Sequence, residues 1–444
     1  MRSAAQATVG LRTGLAALVA LYLLLAALYA WLTPAWQNPD EPAHYNYIRQ
    51  LAENGSLPVL QPGDYDQQYL ADIVARNFPP QLSIDALRYE GHQPPLYYLL
   101  LAPVYRASAG SLLALRLGSA LLGALLVLCA GLAAWEYFQP QLPLALAAAA
   151  FVAFIPQHVA MLASVNNDAL AELWMMLGFW LLLRSAAAPN THNYWLLSLV
   201  LGLAFITKAT VYILLLPALL ALWLDWRAGR STPAASIAKL LPALLLGGLW
   251  WARNAAVYGW PDVLGLQRHA AVVVGQPRTA DWLAQFGAAQ FLRRLLATTF
   301  NSFWGQFGWM SAPMSGAIYA LLGLLCAAIC AGLWLGRASA ATSKNTLRQR
   351  QHMLLLAGAA GTLLAFLYYN LSFVQHQGRY LFPALLPLAI VATHGLNVWA
   401  QRCALHWPAT SRAANWLPLG VALLLAALCG WALQIVAGIG TAAQ

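Results

Sequence analysis

Apolar runs close to twenty residues long recur from one end of this sequence to the other, separated by short connections. Each run can cross about 30 Å of hydrocarbon as a helix. Breaker residues place eleven of them, near 13–33, 111–136, 142–160, 168–185, 194–207, 210–225, 236–257, 313–336, 352–371, 380–400 and 415–438. The chain is 61% hydrophobic and only 9% charged, whereas soluble domains carry about a quarter charged residues. The fold class is therefore all-α: a polytopic transmembrane helical bundle. A membrane barrel would instead show alternating segments of about ten residues.

A net charge of +10 raises the possibility of a nucleic-acid partner, but the cations are placed otherwise. They cluster in short connections, and with the N-terminus in the cytoplasm Arg184, Arg227, Arg230, Lys239, Arg337, Lys344, Arg348, Arg350, Arg402 and Arg412 all fall inside. The chain reads as a multi-pass protein of a bacterial inner membrane, with no nucleic-acid partner. Arg2 and Arg12 precede an apolar run resembling a signal peptide, but it is long and lacks a convincing cleavage site, so it reads as a retained helix. The five cysteines form neither a disulfide framework nor a metal motif.

In this orientation the first extracytoplasmic loop, 34–95, holds eight of the fourteen acidic residues. Its segments 42–53, 66–76 and 82–89 read as short helices that could lie on the membrane and roof a cavity. The aromatic stretch from Pro94 to Pro103 reads as an interfacial helix. A second extracytoplasmic loop, 258–312, interleaves Gly with Trp and Phe, and residues 1–444 read as one membrane domain.

Within that frame, Asn38-Pro39-Asp40-Glu41-Pro42-Ala43-His44 is an energetic anomaly. Ions at a membrane interface are costly unless they face a polar cavity. Further polar residues gather at the same helix ends: His92, Arg116, Asn167, Asp168, Lys208, Arg253, His376, Arg379 and Tyr380. A carboxylate beside cations suits transfer of a group from a lipid phosphate to a hydroxyl. Asp40 would take the acceptor's proton, while Lys208, Arg253 and Arg379 would bind the leaving phosphate. Bland alternatives stand beside each. Asp40 and Asp168 could be helix caps, and Lys208, Arg116 and Arg379 could snorkel to the interface. Asp40, Glu41 and His92 could also hold a divalent cation, Mg or Mn, although no tight ligand motif accompanies them.

Pro39-Asp40-Glu41, Gly91-His92-Gln93-Pro94-Pro95-Leu96-Tyr97-Tyr98, Leu115-Arg116, Thr207-Lys208 and Gln377-Gly378-Arg379-Tyr380-Leu381-Phe382-Pro383 together resemble the GT-C class of integral membrane glycosyltransferases. That class includes protein mannosyltransferases and the aminoarabinose transferases of lipid A. The resemblance implies a polyprenyl-phosphate sugar donor, an outward-facing site under the first loop, inversion at the anomeric carbon, and a glycan, lipid or protein acceptor. By motif it gives Asp40 the place of the base and Glu41 that of the second acidic residue. Lys208 and Arg379 fall beside the donor phosphate, with His92 lining the site; His44 stays a supporting or structural residue beside them. Two rival readings remain: a polysaccharide polymerase or ligase using a diphosphate donor, and a non-enzymatic transporter. The transporter would be expected to show inverted repeats, and none is visible.

Overall fold

The computed structural model describes residues 2–188, 190–340 and 346–439, so Lys344 lies outside the described residues. The chain begins with α1 (Arg2–Leu32), a Leu- and Ala-rich helix that stops just before Pro34. The first loop then forms α2 (Glu41–Asn54), α3 (Gln67–Ala75) and two single 3-10 turns, Ile84–Ala86 and Tyr89–His92. These match the three short helices expected there. The interfacial segment is α4 (Leu96–Ala107).

The bundle continues with α5 (Leu112–Phe138), α6 (Leu142–Ala153), α7 (Pro156–Leu162), α8 (Asp168–Ala187) and α9 (Thr191–Phe205). After a 3-10 turn at Ala209–Leu214 come α10 (Leu215–Arg227), α11 (Pro233–Ala238) and α12 (Leu241–Tyr258). The second loop contains α13 (Leu266–Val272), α14 (Thr279–Trp304) and a two-residue hairpin, β1 (Gln306–Phe307) with β2 (Ala312–Pro313). The chain closes with α15 (Gly316–Ala340), α16 (Thr346–Ser372), a 3-10 turn at Gly378–Ala384, α17 (Leu385–His406), α18 (Ser411–Ala414) and α19 (Leu417–Ala437).

Among the described residues eight helices are long and apolar enough to span a membrane, or nine if one bent pair is a single span, rather than the eleven expected. The bent pair is α6 with α7, which meet at 63°. Pro156 opens α7 and cannot donate to the preceding turn, so the predicted 142–160 span is broken there. Helices also occupy the two remaining predicted spans, but α9 has only fifteen residues, and α12 carries Arg253 in its C-terminal half.

Close helix approach depends on small residues, as it must where lipid supplies no hydrophobic drive between helices. Most of α6 from Leu144 to Ala153 is buried, largely through alanine. Gly378 shows the tightest use of this device near the polar end of the bundle. A Cβ there would lie 2.3 Å from the backbone nitrogen of Phe303 and 2.4 Å from the carbonyl of Thr299, so α14 and the Arg379 turn touch backbone to backbone. The Gly378 amide also donates to Ser302 Oγ at 2.8 Å. Gly378→Ala should therefore cost about 1–3 kcal/mol by overpacking, read as a lower midpoint of thermal unfolding in detergent.

Candidate active site

The end of α1, the start of α2, the Tyr89–His92 turn, the start of α8, Lys208 and the Arg379 turn meet at one end of the bundle. Asp40 occupies the N-cap position of α2 in a left-handed conformation, φ 66°, and its side chain makes no capping bond. Its carboxylate instead accepts from Arg379 at 2.6 Å through Oδ2 and from the Tyr89 hydroxyl at 3.1 Å through Oδ1. A non-glycine residue held at positive φ stores strain of about 1–3 kcal/mol. Here that conformation turns the carboxylate away from the helix start and toward the cations.

Asp168 also leaves capping to a neighbour: the Asn166 side chain accepts from its amide at 2.9 Å. The Asp168 carboxylate instead accepts from Lys208 Nζ at 2.6 Å. The cap expected of Asp168 is thus an ion pair, and two carboxylates alternate with two cations. Burial pushes the Asp40 carboxyl up, but Arg379, His44 and Lys208 together outweigh it and hold the group below its usual 3.8. The buried His44 imidazole lies 2.8 Å from the Tyr98 hydroxyl, and its pKa is lowered, chiefly by burial.

Two buried arginines contrast sharply. All five N–H groups of Arg116 are used: Nε and Nη2 reach the two oxygens of Glu41 at 2.8 and 2.6 Å, Nη1 reaches the carbonyls of Ala30 and Thr33, and Nη2 also reaches that of Pro34. Glu41 Oε1 accepts a further bond from the Val165 amide at 3.1 Å. The pair ties α1, α2, α5 and the segment before α8 together, and Arg116 has no donor left for a ligand. Arg379 is 8% exposed, yet its Nε and Nη1 make no hydrogen bond among the described residues. Buried guanidinium donors without a partner are costly, and these belong to the same side chain that bonds Asp40.

The other expected residues divide. Asn167 Nδ2 contacts Gln93 Oε1 at 3.4 Å and the Thr207 carbonyl at 3.5 Å, while its Oδ1 stays unpaired among the described residues. His92 is buried beside the Tyr89 carbonyl at 3.2 Å, and its ring lies 4.4 Å from that of His269. Burial pushes its pKa down to about 4. Tyr380 stacks edge-on against Tyr369 next to Arg379. Arg253 is directed elsewhere: it donates to the Pro58 carbonyl and to Asn254, and props the first loop. His376 sits between Trp282 and Phe291 rather than among the charges.

Glu90 is the residue that sequence reasoning passed over. It is buried, its Oε2 is unpaired among the described residues, and burial raises its pKa despite the nearby His44 and Lys208. The available signal was a carboxylate two residues before His92 in an aromatic, proline-rich stretch. No three His, Cys, Asp or Glu side chains converge as a metal cluster among the described residues. Asp40, Glu41 and His92 are not brought together, because Glu41 is committed to Arg116. The divalent site considered above does not fit this arrangement.

Comparison with solved structures identifies the architecture. The ArnT of Cupriavidus metallidurans bound to undecaprenyl phosphate superposes with a TM-score of 0.53 at 16% identity, covering 96% of this chain and 74% of that one. The chain has the GT-C fold. The oligosaccharyltransferase of Archaeoglobus fulgidus, tethered to an acceptor peptide containing the NVT sequon, superposes with a TM-score of 0.52 at 16% identity over 96% of this chain. This GT-C chain spans 55% of that protein's length. The family model for dolichyl-phosphate-mannose-protein mannosyltransferase matches residues 92–251, a range that includes Lys208 and Asp168 but neither Asp40 nor Arg379. No curated protein matches the sequence significantly.

Proposed function

We propose that this GT-C chain is an inverting glycosyltransferase that moves a sugar from a polyprenyl-phosphate donor to a hydroxyl-bearing glycan, lipid or protein acceptor, on the extracytoplasmic side of a bacterial inner membrane. The observation that carries the reading is Arg379: a buried guanidinium, bonded to Asp40 through one nitrogen and leaving two others unpartnered among the described residues. Such donors suit phosphate oxygens, which guanidinium binds with paired, charge-assisted bonds. Lys208, held by Asp168, supplies the second cation. The undecaprenyl phosphate in the ArnT structure supports the donor class.

In this reading the acceptor hydroxyl approaches Asp40, and its oxygen attacks the anomeric carbon. The bond from that carbon to the phosphate oxygen breaks as the new glycosidic bond forms, and the electron pair leaves on polyprenyl phosphate. Arg379 and Lys208 stabilise the charge that accumulates there. The hydroxyl proton passes to Asp40. A carboxylate held below its usual pKa is a weak base, so the transfer comes late, once bond formation has acidified the hydroxyl. Glu41 and Arg116 serve as the brace that holds this end together, while His44, His92, Glu90, Asn167 and Tyr380 surround the two ion pairs.

The test is to incubate purified protein with a polyprenyl-phosphate sugar and envelope-derived acceptors. Release of polyprenyl phosphate that requires an acceptor is expected. Sugar movement across proteoliposomes without bond formation would instead establish a transporter.

The electrostatics also predict a pH signature. In the wild type Asp40 stays ionised down into the acid range, because the cations outweigh burial. The proton it contributes to linkage is therefore taken up only as pH falls through that lowered value. In Arg379→Gln the burial contribution loses its main opponent, so the Asp40 pKa rises and the acid limb of kcat/KM moves to higher pH. An unmoved limb would separate Asp40 from the step that limits turnover.

A further inference from the structure

At the opposite end of the bundle, an apolar groove of about 180 Å³ runs between α10 and α11. It is lined by Leu219, Leu222, Trp223, Trp226, Ile237 and Leu240, with Ser236 at its edge. Because α10 belongs to a spanning segment, Ala209–Arg227, the groove lies at membrane depth, where an acyl chain is the available occupant. Its mouth is cationic. Asp225 is shared by Arg350 at 2.7 Å and Arg230 at 3.4 Å, and it accepts from the Tyr194 hydroxyl through its other oxygen. One carboxylate thus faces two arginines, with Arg227 over the Trp223 ring and Lys239 over the Tyr194 ring nearby.

Lys239 makes this more than a basic rim. It is only 8% exposed, and among the described residues no carboxylate lies within 4.0 Å of its ammonium. Its single side-chain hydrogen bond is a long one, 3.4 Å to Ser231 Oγ, and Ser231 in turn lies 3.1 Å from Ser236 Oγ. A buried ammonium without a counter-ion is costly. The Tyr194 ring offsets part of that cost, and a phosphate at the groove mouth would supply the missing counter-ion. Arg230, its side chain 48% exposed, supplies a second cation for phosphate oxygens, with the Ser231 and Ser236 hydroxyls beside the Lys239 ammonium.

We infer that Lys239, Arg230, Ser231 and Ser236 form a seat for the headgroup of an anionic glycerophospholipid whose acyl chain fills the groove between α10 and α11. The seat is separate from the donor site and lies beside the Arg350–Asp225 pair that ties α16 to α10.

The purified full chain, titrated with dioleoyl phosphatidylglycerol and with dioleoyl phosphatidylcholine and followed by native mass spectrometry, tests the inference. The anionic lipid should be retained about tenfold more tightly, equivalent to about 1.4 kcal/mol. Lys239→Gln combined with Arg230→Gln should abolish that preference, while Lys239→Arg, which retains the charge, and Arg402→Gln, an exposed cation away from the groove, should leave it unchanged. Three outcomes would overturn the inference: equal retention of the two lipids, wild-type selectivity in the double variant, or competition by free glycerol phosphate as strong as by the lipid.

Discussion

Replacing Asp40 by Asn is expected to lower kcat by about 10²–10⁴-fold, the range a positioned general base contributes, with the fold intact. Asparagine preserves shape and tolerates the left-handed backbone found at this position, φ 66°, so the change removes proton-accepting ability and little else. It also leaves Arg379 without the carboxylate it now bonds at 2.6 Å. Donor binding should therefore hold or tighten while turnover fails. Measuring polyprenyl phosphate release beside donor affinity resolves the two effects. Full turnover in Asp40→Asn would sink the base assignment and move attention to Asp168 or Glu90. Arg379→Gln is the complementary case, in which donor affinity should fall together with turnover.

Breaking the Glu41–Arg116 pair should have the second large effect, and of a different kind. Arg116→Met leaves a fully buried carboxylate facing three backbone carbonyls that have lost their donor. Removing one partner of such a pair costs about 3–5 kcal/mol, enough to unfold much of a marginal protein. The expected readout is a sharply lower thermal midpoint or loss of the folded fraction in detergent. Glu41→Gln should be milder, since the amide still accepts from Arg116 and from the Val165 amide. A double variant, Glu41→Gln with Arg116→Met, should cost less than the sum of the singles because the stranded charge is gone. If Arg116→Met were stable but inactive, Arg116 would be a ligand-binding residue after all.

Much of the candidate site, the charged cluster itself, was legible in the chain because ions near lipid are rare and have to be explained. Asp40, Asp168, Lys208 and Arg379 stand out from the sequence for that reason alone. Their pairing was not legible: Asp40 meets a residue 339 positions away, and no local pattern specifies such a contact. The same limit explains Glu41 and Arg116. Adjacent carboxylates look equivalent in sequence, yet α2 begins between them, so one meets Arg379 and the other meets Arg116. Glu90 went unnoticed because a loop carboxylate ordinarily lies in water, and only the packing of the first loop against the bundle buries it. Arg253 and His376 had the right chemistry at the right end, but they are consumed by loop backbone and by aromatic rings.

Hydropathy by itself determined that this chain is a helical membrane bundle with short helices in its first loop, because backbone groups in hydrocarbon must be satisfied within each helix. It placed eleven spans, whereas among the described residues eight helices, or nine with the bent pair as one span, are long and apolar enough to cross, since composition cannot see that Pro156 breaks one apolar run or that α9 stops at fifteen residues. Tertiary structure alone decided which charges are spent and which remain available. Arg116 and Arg379 are the same residue type, similarly buried, but the guanidinium of Arg116 is saturated by its neighbours and that of Arg379 is not. That difference depends on where distant carbonyls and carboxylates arrive in space, and it is the ground on which Arg116 is proposed as a brace and Arg379 as a binding group.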